Sequence, residues 1–128
     1  MKTYTLRKAE RLRRESVIGK MFEGGLAKSF SIFPMRVVYM PLEAGEESAA
    51  VLVSVSKRRF KRAVKRNRVK RQLREAYRHN KLPLLDELRR RGQHLAIAFL
   101  YLSDALLPSA AIEEKMRLAM RRLIEKLP

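Results

Sequence analysis

Twelve of the 22 residues between positions 57 and 78 are lysine or arginine: Lys57, Arg58, Arg59, Lys61, Arg62, Lys65, Arg66, Arg68, Lys70, Arg71, Arg74 and Arg78. A single acid, Glu75, stands among them. Side chains of this type carry a fixed charge at neutral pH, so the chemistry they offer is recognition of anions. The planar guanidinium grips phosphate with two parallel hydrogen bonds, and the ammonium acts as a point charge. Asn67 sits in the middle of the run. Its amide both donates and accepts, which suits a base edge or a ribose hydroxyl and equally suits a surface or helix-capping position. The stretch carries a net +11, whereas the rest of the chain, with 18 basic and 12 acidic residues, carries only +6. The excess charge is therefore localised, and the partner it calls for is a polyanion. Nucleic acid comes first, an anionic membrane surface second, and a mere aid to solubility third.

Groups suited to bond-breaking are scarce. The chain has two histidines, His79 and His94, two aspartates, Asp86 and Asp104, and no cysteine. None of these pair at metal-ligand spacing, and a disulfide framework or thiolate metal site is excluded. Protein-borne metal hydrolysis calls for clustered carboxylates. We therefore assign no catalytic residue and no metal ligand. His94 opens an apolar strand and reads as structural, and His79 follows the basic run and reads as a helix C-terminal residue.

The elements that position the cations can be read from periodicity. Residues 62–80 form the strongest helix. At about 100° per residue, Val69, Leu73, Ala76 and Tyr77 share one arc, which must be buried. Asn67, Lys70, Arg71, Arg74 and Arg78 share a neighbouring arc, a cationic ridge. Arg66 lies at the apolar arc's edge, where its stem covers apolar surface and its guanidinium reaches outward. Like charges one turn apart repel by a few tenths of a kcal/mol per pair, and only Glu75 relieves them, so the ridge is set up for phosphates.

Upstream, residues 7–14 form a basic lead-in. Leu12, Ile18, Met21 and Phe22 recur at helical spacing, which predicts a first helix over residues 15–24, capped by Ser16 and stopped by Gly24-Gly25. Residues 29–40 read as extended, with Pro34 marking an edge, a bulge or a break between two strands. Residues 41–47 form a turn. Residues 49–56 alternate, a second strand paired antiparallel to the first. Downstream, residues 82–91 form a short helix with Pro83 near its start and Gly92 after its end. Residues 94–101 are a continuous apolar run, a central strand. Pro108-Ser109 opens a last helix with Ile112, Met116, Ala119, Met120, Leu123 and Leu127 on one face.

The order is helix, strands, helix, strand, helix, which predicts an α+β two-layer sandwich with one small sheet and helices packed on it. The whole chain, residues 1–128, reads as a single domain of ordinary size, and at 46% hydrophobic residues it has a core to bury. The N-terminus carries charges throughout and lacks an apolar signal core. The longest apolar run falls far short of the ~20 residues that span a bilayer. The expectation is a soluble, cytoplasmic protein with no membrane association.

The string Ala63-Val64-Lys65-Arg66-Asn67-Arg68-Val69-Lys70-Arg71-Gln72-Leu73-Arg74-Glu75-Ala76-Tyr77-Arg78 resembles the signature helix of the bacterial ribonuclease P protein family, with its Arg-Asn-Arg core and its Arg-Glu-Ala-aromatic ending. Val53-Ser54-Val55-Ser56-Lys57 resembles the strand leading into that helix, Met21-Phe22-Glu23-Gly24-Gly25 the end of the family's first helix, and Arg36-Val37-Val38-Tyr39 its first strand. The likeness runs from about Leu6 to the last helix.

The resemblance implies a mixed sheet with a left-handed βαβ crossover, which pattern alone would not suggest because most crossovers are right-handed. It implies a protein subunit that binds a catalytic RNA and the 5′ leader of precursor tRNA. The endonucleolytic chemistry would then lie in the RNA, with Mg²⁺ as cofactor held mainly by that RNA, and no obligate protein partner is implied. Residue by residue, Arg66, Asn67, Arg68, Lys70, Arg71 and Arg74 fall on the RNA-facing helix. Lys57, Lys61, Arg62 and Arg78 extend the RNA-binding set. Ile18, Phe22 and Tyr39 fall on the leader-binding cleft. Ile18 departs from the aromatic that many members carry, which removes one stacking platform. Arg58-Arg59-Phe60-Lys61-Arg62 departs from the family's frequent glycine.

From residue type alone, Phe22, Phe30, Phe33 and Tyr39 also read as core. Two other functions remain open at this level. One is a basic RNA-binding scaffold, such as a ribosomal protein, with no enzymatic role. The other is DNA recognition by the basic helix, against which stand its buried face and the lack of a dimer signature.

Overall fold

The computed structural model describes residues 27–42 and 48–127. The expected first helix over residues 15–24, the basic lead-in and residues 43–47 of the expected turn lie outside the described residues.

The long extended stretch resolves into a hairpin. Strand β1 (Lys28–Ile32) and strand β2 (Met35–Leu42) pair antiparallel, with Ile32 opposite Met35. The break falls at Phe33-Pro34, joined by a cis peptide bond. Proline has no N–H for a ladder, so a turn between strands is one of the few places it fits. Strand β3 (Ala49–Val55) follows, then helix α1 (Ala63–Asn80), helix α2 (Leu82–Arg91), strand β4 (His94–Tyr101) and helix α3 (Ser109–Lys126).

The sheet order is β1-β2-β4-β3. β4 pairs antiparallel with β2 and parallel with β3. The expected antiparallel pairing of residues 49–56 with the preceding strand is therefore corrected: β3 never touches β2 in the sheet. The cause lies in β4. Its run His-Leu-Ala-Ile-Ala-Phe-Leu-Tyr is buried on both faces over Leu95, Ala96, Ile97, Ala98 and Phe99. Such a strand is satisfied only between two neighbours, so β2 and β3 flank it. A parallel β3–β4 pair then needs a long crossover, and α1 with α2 supply it.

Side-chain alternation divides the core in two. Met35, Val37 and Tyr39 of β2, Val51, Val53 and Val55 of β3, and Leu95, Ile97, Phe99 and Tyr101 of β4 point to one face. That face receives Val69, Leu73, Ala76 and Tyr77 of α1, Leu84, Leu85 and Leu88 of α2, and Ile112, Met116, Ala119, Met120 and Leu123 of α3. The opposite face holds a smaller cluster of Val38, Met40, Ala96 and Ala98. This is the predicted α+β arrangement, one mixed sheet with helices laid on it.

The helix ends follow local chemistry. Pro83 stands in the first turn of α2, where a missing N–H costs nothing. Gly92 ends α2 in the left-handed region at φ 64°, and its N–H donates to the Arg89 carbonyl at 3.2 Å while Gln93 N–H donates to Leu88 at 2.9 Å.

Candidate nucleic-acid interface

The basic helix is locked in place before its cations do anything. Leu73 and Tyr77 are fully buried, and the Tyr77 ring lies 5.8 Å from that of Phe99 on β4. Polar contacts fix its rotation against α3. Gln72 Nε2 donates to the Leu107 carbonyl at 3.0 Å and to Ser109 Oγ at 3.1 Å. His79 Nδ1 meets Glu113 Oε2 at 2.8 Å, and Asn80 Nδ2 donates to Glu113 Oε1 at 3.2 Å. His79 thus joins two helices, a role beyond the terminal position read from sequence. Four buried residues on one side and these contacts at the middle and C-terminal end leave one face of α1 free to present charge.

On that face Asn67, Arg68 and Arg71 are exposed, and Lys70, Arg74 and Arg78 are half-buried. Lys57, Lys61 and Arg62 are exposed in the segment that leads into the helix. Arg78 Nη2 donates to Glu75 Oε2 at 2.5 Å. That hydrogen bond, with the charges of Arg78, His79 and Arg71, holds the Glu75 carboxyl below the usual carboxylate range. The acid therefore stays ionised and mutes only its own corner of the ridge.

Arg66 behaves differently from its neighbours. Its Nη1 folds back and donates to the Phe60 carbonyl at 2.8 Å and the Lys61 carbonyl at 2.7 Å. The outward reach expected of it is replaced by a brace on the segment before the helix. That segment has no side-chain cap and no acid in the first helical turn. A helix start normally attracts negative charge, and the first turn of α1 supplies none of its own.

The structure adds a feature that residue spacing did not reveal. Arg59, Phe60, Lys61, Arg62, Lys65, Asp104 and Leu106 enclose an open hollow of about 480 Å³. Arg59 Nη1 is held by Asp104 Oδ1 at 3.1 Å, so the loop after β4 anchors the loop after β3. The two residues are 45 apart in sequence, which no local pattern links.

The expected leader cleft is only partly within view. Tyr39 is 7% exposed, faces the helix-bearing side of the sheet, and lies 6.0 Å from the Phe30 ring. Burial raises its hydroxyl pKa above the usual value. Ile18 and Phe22 lie outside the described residues. Among the described residues, no three His, Cys, Asp or Glu side chains group so as to hold a metal ion. Nor is any helix there long and apolar enough to cross a membrane. His94 opens β4 and is half-buried.

Comparison with known proteins agrees with this geometry. The family model for Ribonuclease P matches residues 6–124. A ribonuclease P protein component from Porphyromonas gingivalis is 43% identical over 127 residues, covering 98% of this chain and 91% of that protein. One from Chlorobium phaeobacteroides is 39% identical over 106 residues, covering 77% and 72%. Among solved structures, the RNase P protein of Staphylococcus aureus superposes with a TM-score of 0.72 at 19% identity, covering 91% of this chain and 96% of that one. That of Thermotoga maritima gives 0.62 at 20% identity, covering 88% and 96%. At that identity the two structures support the fold, and the family match over nearly the whole length assigns the lineage: the chain belongs to the ribonuclease P protein family.

Proposed function

We propose that this chain acts as one unit over residues 1–128, the protein component of ribonuclease P, binding the catalytic RNA through α1 and assisting 5′ maturation of precursor tRNA. The family's role is tRNA 5′ processing by an endoribonuclease. The observation that carries the reading is the cationic ridge: a helix pinned by Val69, Leu73, Ala76 and Tyr77 presents Arg68, Lys70, Arg71 and Arg74 beside an uncapped, acid-free N-terminus. Lys57, Lys61, Arg62 and Arg78 widen that surface, and Asn67 supplies an amide for a base edge or ribose hydroxyl. Arg66 serves mainly by shaping the loop. Ile18, Phe22 and Tyr39 are the proposed leader contacts.

In this reading Mg²⁺ is held mainly by the RNA, and the protein lowers the concentration of it that the RNA requires. A cytoplasmic location follows from the partner, since transcripts are matured where they are made. The scaffold alternative explains the charge but not the family match.

The deciding experiment is cleavage of precursor tRNA by ribonuclease P RNA at low Mg²⁺, with and without the chain. Restored, accurate 5′ cleavage is the expected result. Tight RNA binding that leaves cleavage by the cognate RNA unchanged would return the chain to the scaffold reading.

A further inference from the structure

Two large apolar side chains stand exposed among the described residues, Phe33 at 65% and Val64 at 80%. Both lie at the same end of the sheet. Met35, the first residue of β2, pairs with Tyr101 at the end of β4, which pairs with Val55 at the end of β3. The turn that carries Phe33 therefore sits beside the point where the chain leaves β3 for the basic loop. Val64 stands in the first turn of α1, just after that loop. A continuous set of contacts links these parts. Leu102 N–H donates to the Pro34 carbonyl at 2.7 Å, and two residues further on Asp104 holds Arg59. Neighbouring strands lie ~4.8 Å apart, so β2 and β3 are separated by about 10 Å.

Phe33 belongs to neither core cluster. Single exposed apolar residues are ordinary. What sets Phe33 apart is its setting, an exposed aromatic ring at the same end of the sheet as a hollow with Arg59, Lys61, Arg62 and Lys65 on its walls and one carboxylate, already engaged by Arg59. Aromatic faces beside phosphate-binding cations are what single-stranded nucleic acid needs, because an unpaired base has a free π-face and its backbone carries the charge. Inside a duplex those faces are already stacked on neighbouring pairs. A purely apolar partner would leave Lys61, Arg62 and Lys65 unmatched.

We infer that Phe33 is a stacking platform for an unpaired RNA base, with phosphates of the same segment held by Lys61, Arg62 and Lys65 in the hollow at the same end of the sheet. This rests on the RNA-binding reading above and extends the surface that holds Lys61, Arg62 and Lys65 to the β1–β2 turn.

The chain has no tryptophan, so Phe33→Trp places a single indole reporter at the turn. This variant is titrated at fixed salt with ribonuclease P RNA, with a single-stranded oligoribonucleotide of leader length, and with a blunt RNA duplex. Affinities of wild type, Phe33→Ala and Phe33→Tyr are measured for the same three. The expected result is quenched emission with one of the first two RNAs and none with the duplex. For the quenching RNA, Phe33→Ala should bind about five- to 150-fold more weakly, the worth of one base–aromatic stack, and Phe33→Tyr should bind like wild type. Which RNA quenches identifies the source of the base. Quenching without lost affinity, lost affinity without quenching, or neither overturns the stacking assignment. If Arg68→Ala with Arg71→Ala weakens binding while Phe33→Ala does not, this inference fails alone. If the wild-type chain binds no RNA, both readings fail.

Discussion

Arg66 and Arg68 are two residues apart on one helix and are identical in type, yet the fold uses them in opposite ways. Arg66 is half-buried and spends its guanidinium on the Phe60 and Lys61 carbonyls. Arg68 is exposed. Hydrogen bonds from a charged donor contribute about 1.5–3 kcal/mol each, less where water competes. Arg66→Ala should therefore lower unfolding stability by about 1–2 kcal/mol, whereas Arg68→Ala should change it by less than about 0.5 kcal/mol. Urea midpoints of the two variants test this, and equal midpoints would remove Arg66 from the loop's support. Both substitutions should weaken RNA binding, Arg68→Ala by lost phosphate contact and Arg66→Ala through a displaced loop. The run of cations was legible in the sequence because nothing offsets it. The division of labour within it was not, since the carbonyls that capture Arg66 belong to a loop whose path depends on Asp104, far along the chain.

At the scale of elements, legibility followed how local the signal is. The buried arc of α1 emerged residue for residue, because helical periodicity is written within 18 consecutive positions. The apolar face of α3 did likewise, apart from Leu127, which falls just past the helix end. Strand partnership was a different matter. The alternation of β3 fits an edge beside either β2 or β4, and only the two-sided burial of β4 decides between them. The short helix α2 shows how small features finish the crossover. Gly92 ends it at φ 64°, and a Cβ there would meet nothing within 4 Å. Gly92→Ala should thus cost only the backbone conformational term, about 1–2 kcal/mol, read as a lower denaturation midpoint. No loss would mean that the turn relaxes to another conformation. Glu87 braces the same helix by hydrogen bonds to Arg90 and Arg91, which depress its carboxyl to about 2 from an ordinary value of 4.5. A depressed carboxylate adds stability above its unfolded value and loses it as pH falls through the folded one. The gap between wild type and Glu87→Gln should be full above about pH 4.5 and vanish towards pH 2. Because solvent screens the pair, with Arg90 exposed, the gap is small, and a gap that persists at pH 2 would assign it to packing.

For the whole molecule the governing quantity is a net charge of +17 on 128 residues. Self-repulsion on this scale weakens the isolated fold and favours any state in which phosphates lie against the ridge and hollow. Binding then releases counterions from the RNA, so affinity should fall steeply with salt. If about six cations of α1 and the preceding loop meet phosphates, the logarithmic slope should be about −4 for single-stranded contacts and about −5 for duplex ones. That corresponds to a loss of roughly 10³-fold between 50 and 200 mM salt. Each cation removed should flatten the slope by about one unit or slightly less. The double variant Arg68→Ala with Arg71→Ala should therefore bind more weakly at low salt and also lose about 1.5–2 units of slope. Its unfolding midpoint should be nearly unchanged, because both side chains are exposed. The two readouts separate contact from collapse: lost affinity with a flatter slope means that these arginines touch phosphate. Lost affinity with the wild-type slope means that they act through the fold, and the ridge on α1 is then the wrong face.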